Sequence, residues 1–256
     1  PSKQEVIRAF ATKFGIMKRV TVIALILTLT RAAASAAAVS VYVCPKVSTP
    51  PTIDGKLDDS AWRIAPAVTL VDAVTGKPAT KKTIARMCWD IDNLYVCFDS
   101  QDTDVWGTLT NRDDKIYLEE VVEVFVSPFC DLKRYFEINV SPRNVVFDFI
   151  VYDPVDGHPS PPSSGGWNWD GMRTAVVADG TLDNRSDTDR GWTAEIALPF
   201  AGVGRSRPRP GERWRINLYR IDLTPKPTEF QAWSPTYHDP AAFHIPECFG
   251  TLFFTD

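Results

Sequence analysis

The sequence predicts an all-β chain folded as an antiparallel β-sandwich, jelly-roll-like in its run of short strands. Three observations lead there. Apolar residues alternate with a period of two in several segments, turn signals separate those segments, and no stretch sustains a helical period. Twenty prolines against fourteen glycines, with fourteen Phe and eight Trp, fit the same class, because aromatic side chains suit a pleated, half-buried surface. A net charge of −4 leaves no basic footprint for nucleic acid.

The N-terminal part reads as an address rather than as fold. Met17-Lys18-Arg19 is a short positive start, VTVIALILTLT (20–30) an apolar run, and RAAASAAAVS (31–40) offers A-x-A sites ending at Ala36 or Ala38. That is the anatomy of a secretory signal peptide over 17–38. The apolar run is shorter than the roughly 20 residues of a membrane-spanning helix; the alternative is an anchor left uncleaved. Residues 1–16 precede the Met-Lys-Arg start and are taken as upstream sequence. The expected mature protein is a single domain over 39–256, secreted to the extracellular space or periplasm and free of the membrane once cleaved.

Five cysteines, Cys44, Cys88, Cys97, Cys130 and Cys248, suit an oxidising compartment. None forms a C-x-x-C, and three histidines (His158, His238, His244) are too few for a zinc site of ordinary spacing. No G-x-S-x-G, H-E-x-x-H or P-loop is present.

Two hairpins can be set in register. In TIARMCWDIDNLYVCFD (83–99) a two-residue turn at Asp92-Asn93 makes Ile91 face Leu94, Trp89 face Val96 and Met87 face Phe98, an apolar side. The other side then pairs Asp90 with Tyr95, Arg86 with Asp99, and Cys88 with Cys97, a candidate disulfide. In RYFEINVSPRNVVFDFIV (134–151) a loop at SPRN (141–144) makes Val140 face Val145, Ile138 face Phe147 and Phe136 face Phe149. Glu137 then stands opposite Asp148, which is destabilising unless something relieves it.

YLEEVVEVFVSP (117–128) sorts by the same period. Leu118, Glu120, Val122, Val124 and Val126 take the core side, while Glu119, Val121, Glu123 and Phe125 take the other. Glu123 is therefore mid-strand and apart from Glu120, beside the face of Glu137, Asn139 and Asp148. Further strands are expected at GWTAEIALPF (191–200), RWRINLYRID (213–222) and CFGTLFF (248–254), and a Pro/Gly/Ser-rich loop at 153–171.

Taken in order, PTIDGKLDDSAW (51–62), RMCWDIDNLYVCF (86–98), VVEVFVSP (121–128), YFEINVSPRN (135–144), GWTAEIALPF (191–200), RWRINLYRID (213–222) and FHIPECFG (243–250) resemble the family 9 carbohydrate-binding modules of secreted bacterial proteins. The resemblance implies a non-catalytic β-sandwich that holds a sugar ring or chain end between two aromatic rings and carries bound calcium. Its polysaccharide or oligosaccharide partner would be broken down by a separate glycoside hydrolase. Residue by residue, the first aromatic matches Tyr117, the second Phe243, the hydroxyl-binding glutamate Glu123, and the asparagine of the next strand Asn139. Better-known members clamp with two tryptophans and carry an arginine near the position of Glu137. Glu137 is a third polar candidate, and Trp233 and Trp106 are rival platforms.

Other uses of the same residues are carried as alternatives. Glu123 and Glu137 on a strand can be plain solvated residues. Glu137 and Asp148, if opposed, could form the close carboxylate pair of a retaining glycoside hydrolase acting on O-glycosyl bonds. Asp99, Asp102 and Asp104 in DSQDTD could give structural calcium its oxygen ligands, or simply form a hydrophilic loop. In the wider superfamily some sandwiches bind haem and transfer electrons, for which Met87 or Met172 would be the axial candidate. His244 either lines the sugar site or caps a loop.

Overall fold

The structure, a computed structural model, describes residues 39–164, 166–223 and 228–256; of 161–164 it describes the backbone. The expected signal peptide lies outside the described residues. In chain order the strands are β1 (Val41–Cys44), β2 (Val68–Thr69), β3 (Val71–Asp72), β4 (Thr83–Trp89), β5 (Asn93–Gln101), β6 (Val121–Ser127), β7 (Arg134–Val140), β8 (Val146–Val155), β9 (His158–Ser164), β10 (Arg173–Asp179), β11 (Gly191–Pro199), β12 (Arg213–Asp222), β13 (Glu229–Ala232) and β14 (Gly250–Phe254). A five-residue helix, α1 (Ser60–Ile64), and three single 3-10 turns complete the described elements. The chain is a two-sheet β-sandwich.

The larger sheet runs β1-β14-β12-β6-β7-β8-β9, with β13 beside β12 and β3 beside β13; the smaller runs β10-β11-β5-β4-β2. Neighbours are antiparallel except β1 and β14, which are parallel. The interior follows from the period of two. Val122, Val124 and Val126 of β6, Phe136 and Ile138 of β7, and Ile216 and Leu218 of β12 point inward. They meet Met87, Trp89, Val96, Phe98, Trp192 and Ile196 of the other sheet.

A second layer covers the outside of the smaller sheet. Cys88, Tyr95, Cys97 and Ala197 are packed under Val47, Ala61 and Trp62 of the N-terminal segment. Glu195 ties that segment down. Its Oε1 accepts from the Trp62 indole at 2.6 Å and its Oε2 from the amides of Asp54 (2.9 Å) and Gly55 (2.7 Å). Gly55 has φ +84°, and a Cβ there would meet Val177 Cγ2 at 2.7 Å, so glycine is required on both counts. The I-D-G…W motif is thus a structural staple.

Both hairpins depart from the registers expected of them. Between β4 and β5 the observed pairs are Trp89 with Leu94, Met87 with Val96, Cys88 with Tyr95 and Arg86 with Cys97. The turn is longer because Asp90 Oδ1 accepts the amides of both Asp92 and Asn93 at 2.8 Å, an Asx turn. A shift of two preserves the faces and changes every partner. Cys88 and Cys97 become diagonal neighbours, whose Cβ atoms lie roughly 7 Å apart, beyond the reach of a disulfide, and both thiols are free. The expected Cys88–Cys97 bond is therefore replaced by two buried thiols.

Between β7 and β8 the shift is one residue. Val140 pairs with Val146, Ile138 with Asp148, and Glu137 with Phe149. The loop holds five residues, closed by Ser141 N–H to Val145 O (3.0 Å) and Asn144 N–H to Ser141 O (2.8 Å), with Asn144 at φ +59°. A one-residue slip turns a strand over. Asp148 consequently faces the interior, where it accepts from Arg112 and from the Trp169 amide and pins the 167–169 segment. Glu137 is on the opposite face. The pair of the glycosidase alternative, Glu137 with Asp148, is separated by the thickness of the sheet. The segment expected as a plain loop at 153–171 contains β9, which pairs with β8 through two irregularities.

Candidate sugar-binding cavity

The outward face of the larger sheet carries Glu123 and Phe125 from β6, Tyr135, Glu137 and Asn139 from β7, Phe147 and Phe149 from β8, and Tyr219 and Ile221 from β12. Alternation puts them on one side. Such a face would ordinarily be wet. Here segment 233–249 folds back over it and lays Phe243, His244 and Phe249 against Phe125, Tyr135 and Tyr219. What remains uncovered is a cavity of about 350 Å³, within the usual range for small-molecule sites of roughly 300–1,000 Å³. Tyr117, on the 3-10 turn Ile116–Leu118, forms one wall, its ring edge-on to Phe147 at 5.2 Å. Phe230 and Phe243 form another, and the β8–β9 turn (Gly157, His158, Pro159) closes the rim.

Two carboxylates stand in this aromatic enclosure. Glu123 is 2% exposed and Glu137 5% exposed. Glu123 pairs across the strands with Asn139, and Glu137 with Phe125, so the glutamates are diagonal neighbours on one face. Asn139 Nδ2 donates to Glu137 Oε1 at 2.9 Å. Burial, reinforced by repulsion from Glu137, holds the Glu123 carboxyl well above the usual carboxylate range. Burial raises Glu137 to about 7, with the Asn139 hydrogen bond pulling the other way. Burial lowers His244 to about 3, so its imidazole is neutral. The Tyr135 hydroxyl lies 2.6 Å from His244 Nδ1. With that hydroxyl donating, the ring proton is assigned to Nε2, which is 3.8 Å from Glu137 Oε2. Among the described residues no Lys or Arg pairs with Glu123 or Glu137, and neither group has a cation among the causes of its shift.

Of the residues the sequence singled out, Tyr117, Glu123, Glu137 and Phe243 line this one cavity, together with His244. Asn139 is fully buried beneath them, with its Oδ1 accepting no hydrogen bond. Trp233 is elsewhere. It packs inside the sandwich, edge-on to Tyr42 at 6.2 Å, with its ring filling the space a Cβ on Gly250 would take. As a platform it is excluded, because the sheet lies between it and the cavity. Trp106 lies beneath the Arg185 guanidinium, away from the site. Met87 is in the packed interior and Met172 at its margin, and neither lines the cavity.

Sequence reasoning missed Phe147, Phe149, Phe230 and His158. The two β8 phenylalanines were assigned to the core by the register that also opposed two carboxylates. That like-charge opposition was the signal that the register was wrong. Phe230 and His158 come from segments whose pairing no local pattern specifies.

The three aspartates expected to hold calcium do not assemble. Asp99 is exposed on the outside of the smaller sheet, where it lines a shallow depression with Lys56 and Arg190. Asp104 faces Arg185 at 3.7 Å. Asp102 instead joins Glu120 and Asp222 in a buried group whose carboxylate oxygens lie within 4.8 Å of one another. That group already contains two cations. Arg220 reaches Asp102 at 2.6 Å and Asp222 at 3.1 Å, and Lys81 reaches Asp222 at 2.8 Å. Burial and the neighbouring carboxylates of Asp102 and Asp222 raise Glu120 to about 10, with Arg220 pulling the other way. A divalent ion among these oxygens would share Asp102 and Asp222 with Arg220 and Lys81.

Comparison with known proteins agrees with the fold. A curated relative from Arthroderma benhamiae, described as an extracellular protein, is 30% identical over 191 residues, covering 70% of this chain and 80% of its own. A solved structure from Bacteroides uniformis, described as a candidate carbohydrate-binding protein, superposes with a TM-score of 0.70 at 18% identity, over 85% of this chain and 100% of its own. A family 9 carbohydrate-binding module from Caldicellulosiruptor kristjanssonii, solved with cellotriose, superposes with a TM-score of 0.58 at 13% identity, over 84% and 94%. At these identities the two structures establish the fold. The profile of the family described as carbohydrate family 9 binding domain-like matches residues 53–256, and the chain belongs to that family.

Proposed function

We propose that this domain binds carbohydrate without cleaving it, taking a sugar ring at a chain end into the cavity between Tyr117 and Phe243. One observation carries this: the cavity combines flat aromatic walls with carboxylates on its floor, on the sheet that the family match spans. A pyranose ring presents apolar C–H faces that lie against aromatic side chains, and its hydroxyls need polar partners at the edge. Tyr117, Phe147 and Phe243 supply the first, and Glu123, Glu137 and His244 the second. The family-9 module solved with cellotriose and with glucose supports the ligand class.

The placement of Glu137 and Asp148 on opposite faces of the sheet supports binding without cleavage, because a retaining hydrolase needs its two carboxyl groups to face each other across the scissile bond. Export through the 17–38 segment, with a role beside a separate glycoside hydrolase in polysaccharide breakdown, completes the proposal, and the extracellular relative supports it. The Asp102–Glu120–Asp222 group is proposed to be closed by its own cations rather than by calcium.

Calorimetric titration of the chain with a panel of oligosaccharides tests the function. Saturable heat with the sugar recovered intact is expected. Released monosaccharide would replace binding with hydrolysis, and the absence of heat across the panel would remove carbohydrate from the site.

A further inference from the structure

The polar groups of the cavity are unbalanced in kind. A sugar hydroxyl both donates and accepts, so a site for a neutral sugar needs donors as well as acceptors. Glu123 and Glu137 offer four carboxylate oxygens between them. Among the described residues one of the four, Glu137 Oε1, accepts a hydrogen bond within the protein. Glu123 lines the cavity while 2% exposed, and among the described residues no hydrogen bond or ion pair reaches it. Against these acceptors the lining contains, among the described residues, no Lys, Arg, Asn or Gln; the Asn139 amide is spent on Glu137, and Tyr135 on His244. The donors left are the Tyr117 hydroxyl, the histidine N–H groups and, with no cation present, the O–H of a protonated glutamate. Six aromatic rings, from Tyr117, Phe125, Phe147, Phe149, Phe230 and Phe243, surround the acids.

An ammonium group matches this arrangement. It donates three hydrogen bonds and accepts none. It is attracted to aromatic faces, the more so when desolvated, and its positive charge would draw both buried carboxyls into their ionised, accepting form. A divalent ion matches less well, because Glu123, Glu137 and His244 do not form a group of ligand atoms within 4.8 Å, as Asp102, Glu120 and Asp222 do. We propose that the sugar ring this cavity selects is an amino sugar, with its protonated amine held between Glu123 and Glu137 and its ring against Tyr117 and Phe243. This rests on the carbohydrate-binding proposal above and specifies its ligand.

The test uses three trimers with one β-1,4-linked backbone: glucosamine trimer, its fully N-acetylated counterpart, and cellotriose. They differ at C2 alone, as ammonium, acetamide and hydroxyl. Titrated against the full chain at pH 6, where the free amine is protonated, the glucosamine trimer is expected to bind at least tenfold more tightly than either of the others. In Glu123→Gln and Glu137→Gln, both isosteric, that preference is expected to shrink to less than threefold. Equal or tighter binding of cellotriose or of the acetylated trimer overturns the amine while leaving sugar binding in place. No binding of any trimer overturns both. A preference that survives both substitutions also overturns it, since the amine would then be held elsewhere.

Discussion

The Tyr219 ring lies flat on the Phe243 ring, centroids 4.1 Å apart and planes inclined by 12°, while its hydroxyl donates to the Phe243 carbonyl at 3.0 Å. One residue of β12 thus holds both the side chain and the backbone of the segment that roofs the cavity. Phe243 is fixed on one face and free to meet a ligand on the other. Tyr117 has no such backing; it stands half-buried on a 3-10 turn. The two platforms therefore differ in what they contribute to the fold.

That difference predicts separable effects. Tyr117→Ala is expected to weaken sugar binding at least tenfold while moving the thermal midpoint by less than about 4 °C, since a half-exposed side chain costs little to remove. Phe243→Ala is expected to lose binding and about 3–5 kcal/mol of stability together, the usual cost of deleting a buried Phe. Calorimetry and urea unfolding on both variants check this. A Tyr117→Ala chain that binds normally would move the platform elsewhere.

Glu137 predicts a pH dependence of stability. Its folded-state value, about 7, lies above the ordinary 4.5, so its contribution to stability is fully present below about pH 4.5 and is lost as pH rises toward 7. The groups facing it are Glu123 on β6, Tyr135 on β7, Tyr117 on its turn and His244 on the roofing segment. None brings a positive charge that would offset the loss. Glu137→Gln is expected to raise the thermal midpoint at pH 8 by several degrees, on the order of 3 kcal/mol at most, and to leave it unchanged at pH 4. Equal effects at the two pH values would show that the carboxyl does not titrate across this window.

The outer strands' sidedness was legible in the sequence; the closure of the site was not. The alternation in β6 assigns Val122, Val124 and Val126 inward and Glu123 and Phe125 outward from composition alone, because one side of a half-apolar strand must be buried. Register depended on turn geometry, and there single side-chain contacts decided. An Asx turn at Asp90 moved one hairpin by two residues, harmlessly for its faces. A left-handed Asn144 moved the other by one, which carried Asp148 inside and Phe147 and Phe149 into the cavity. The roofing segment has no period to read, so the burial of Glu123 and Glu137 beneath it was invisible, although their strand positions were not.

The thiols give a chemical test of the corrected hairpin. Cys44, Cys88 and Cys97 are buried, and burial pushes all three above the ordinary thiol value, Cys88 to about 12. Cys130 is exposed. Since the thiolate is the reactive form, brief alkylation of the native protein at pH 7.5 is expected to modify Cys130 first, Cys248 more slowly, and the other three only after unfolding. Peptide mass mapping reads this directly. A Cys88–Cys97 linked peptide would restore the shorter turn and its register.

The buried group around Arg220 gives a second large expected loss of stability. The Arg220 side chain is fully buried and is held by Asp102, Asp222, the Thr83 hydroxyl (3.2 Å) and the Gln101 carbonyl (2.7 Å). Removing one partner from a buried ion pair leaves an uncompensated charge and costs about 3–5 kcal/mol. Arg220→Met is expected to show that loss in urea unfolding. Glu120→Gln is expected to change stability by less than about 1 kcal/mol at pH 7, because the raised value of Glu120 favours its neutral form there and glutamine is neutral too. The ion pairs that Arg220 and Lys81 make with Asp102 and Asp222 predict that EDTA leaves the thermal midpoint where it was. A fall on chelation that Glu120→Gln abolishes would instead place a divalent ion among Asp102, Glu120 and Asp222, with Lys81 or Arg220 turned away from them.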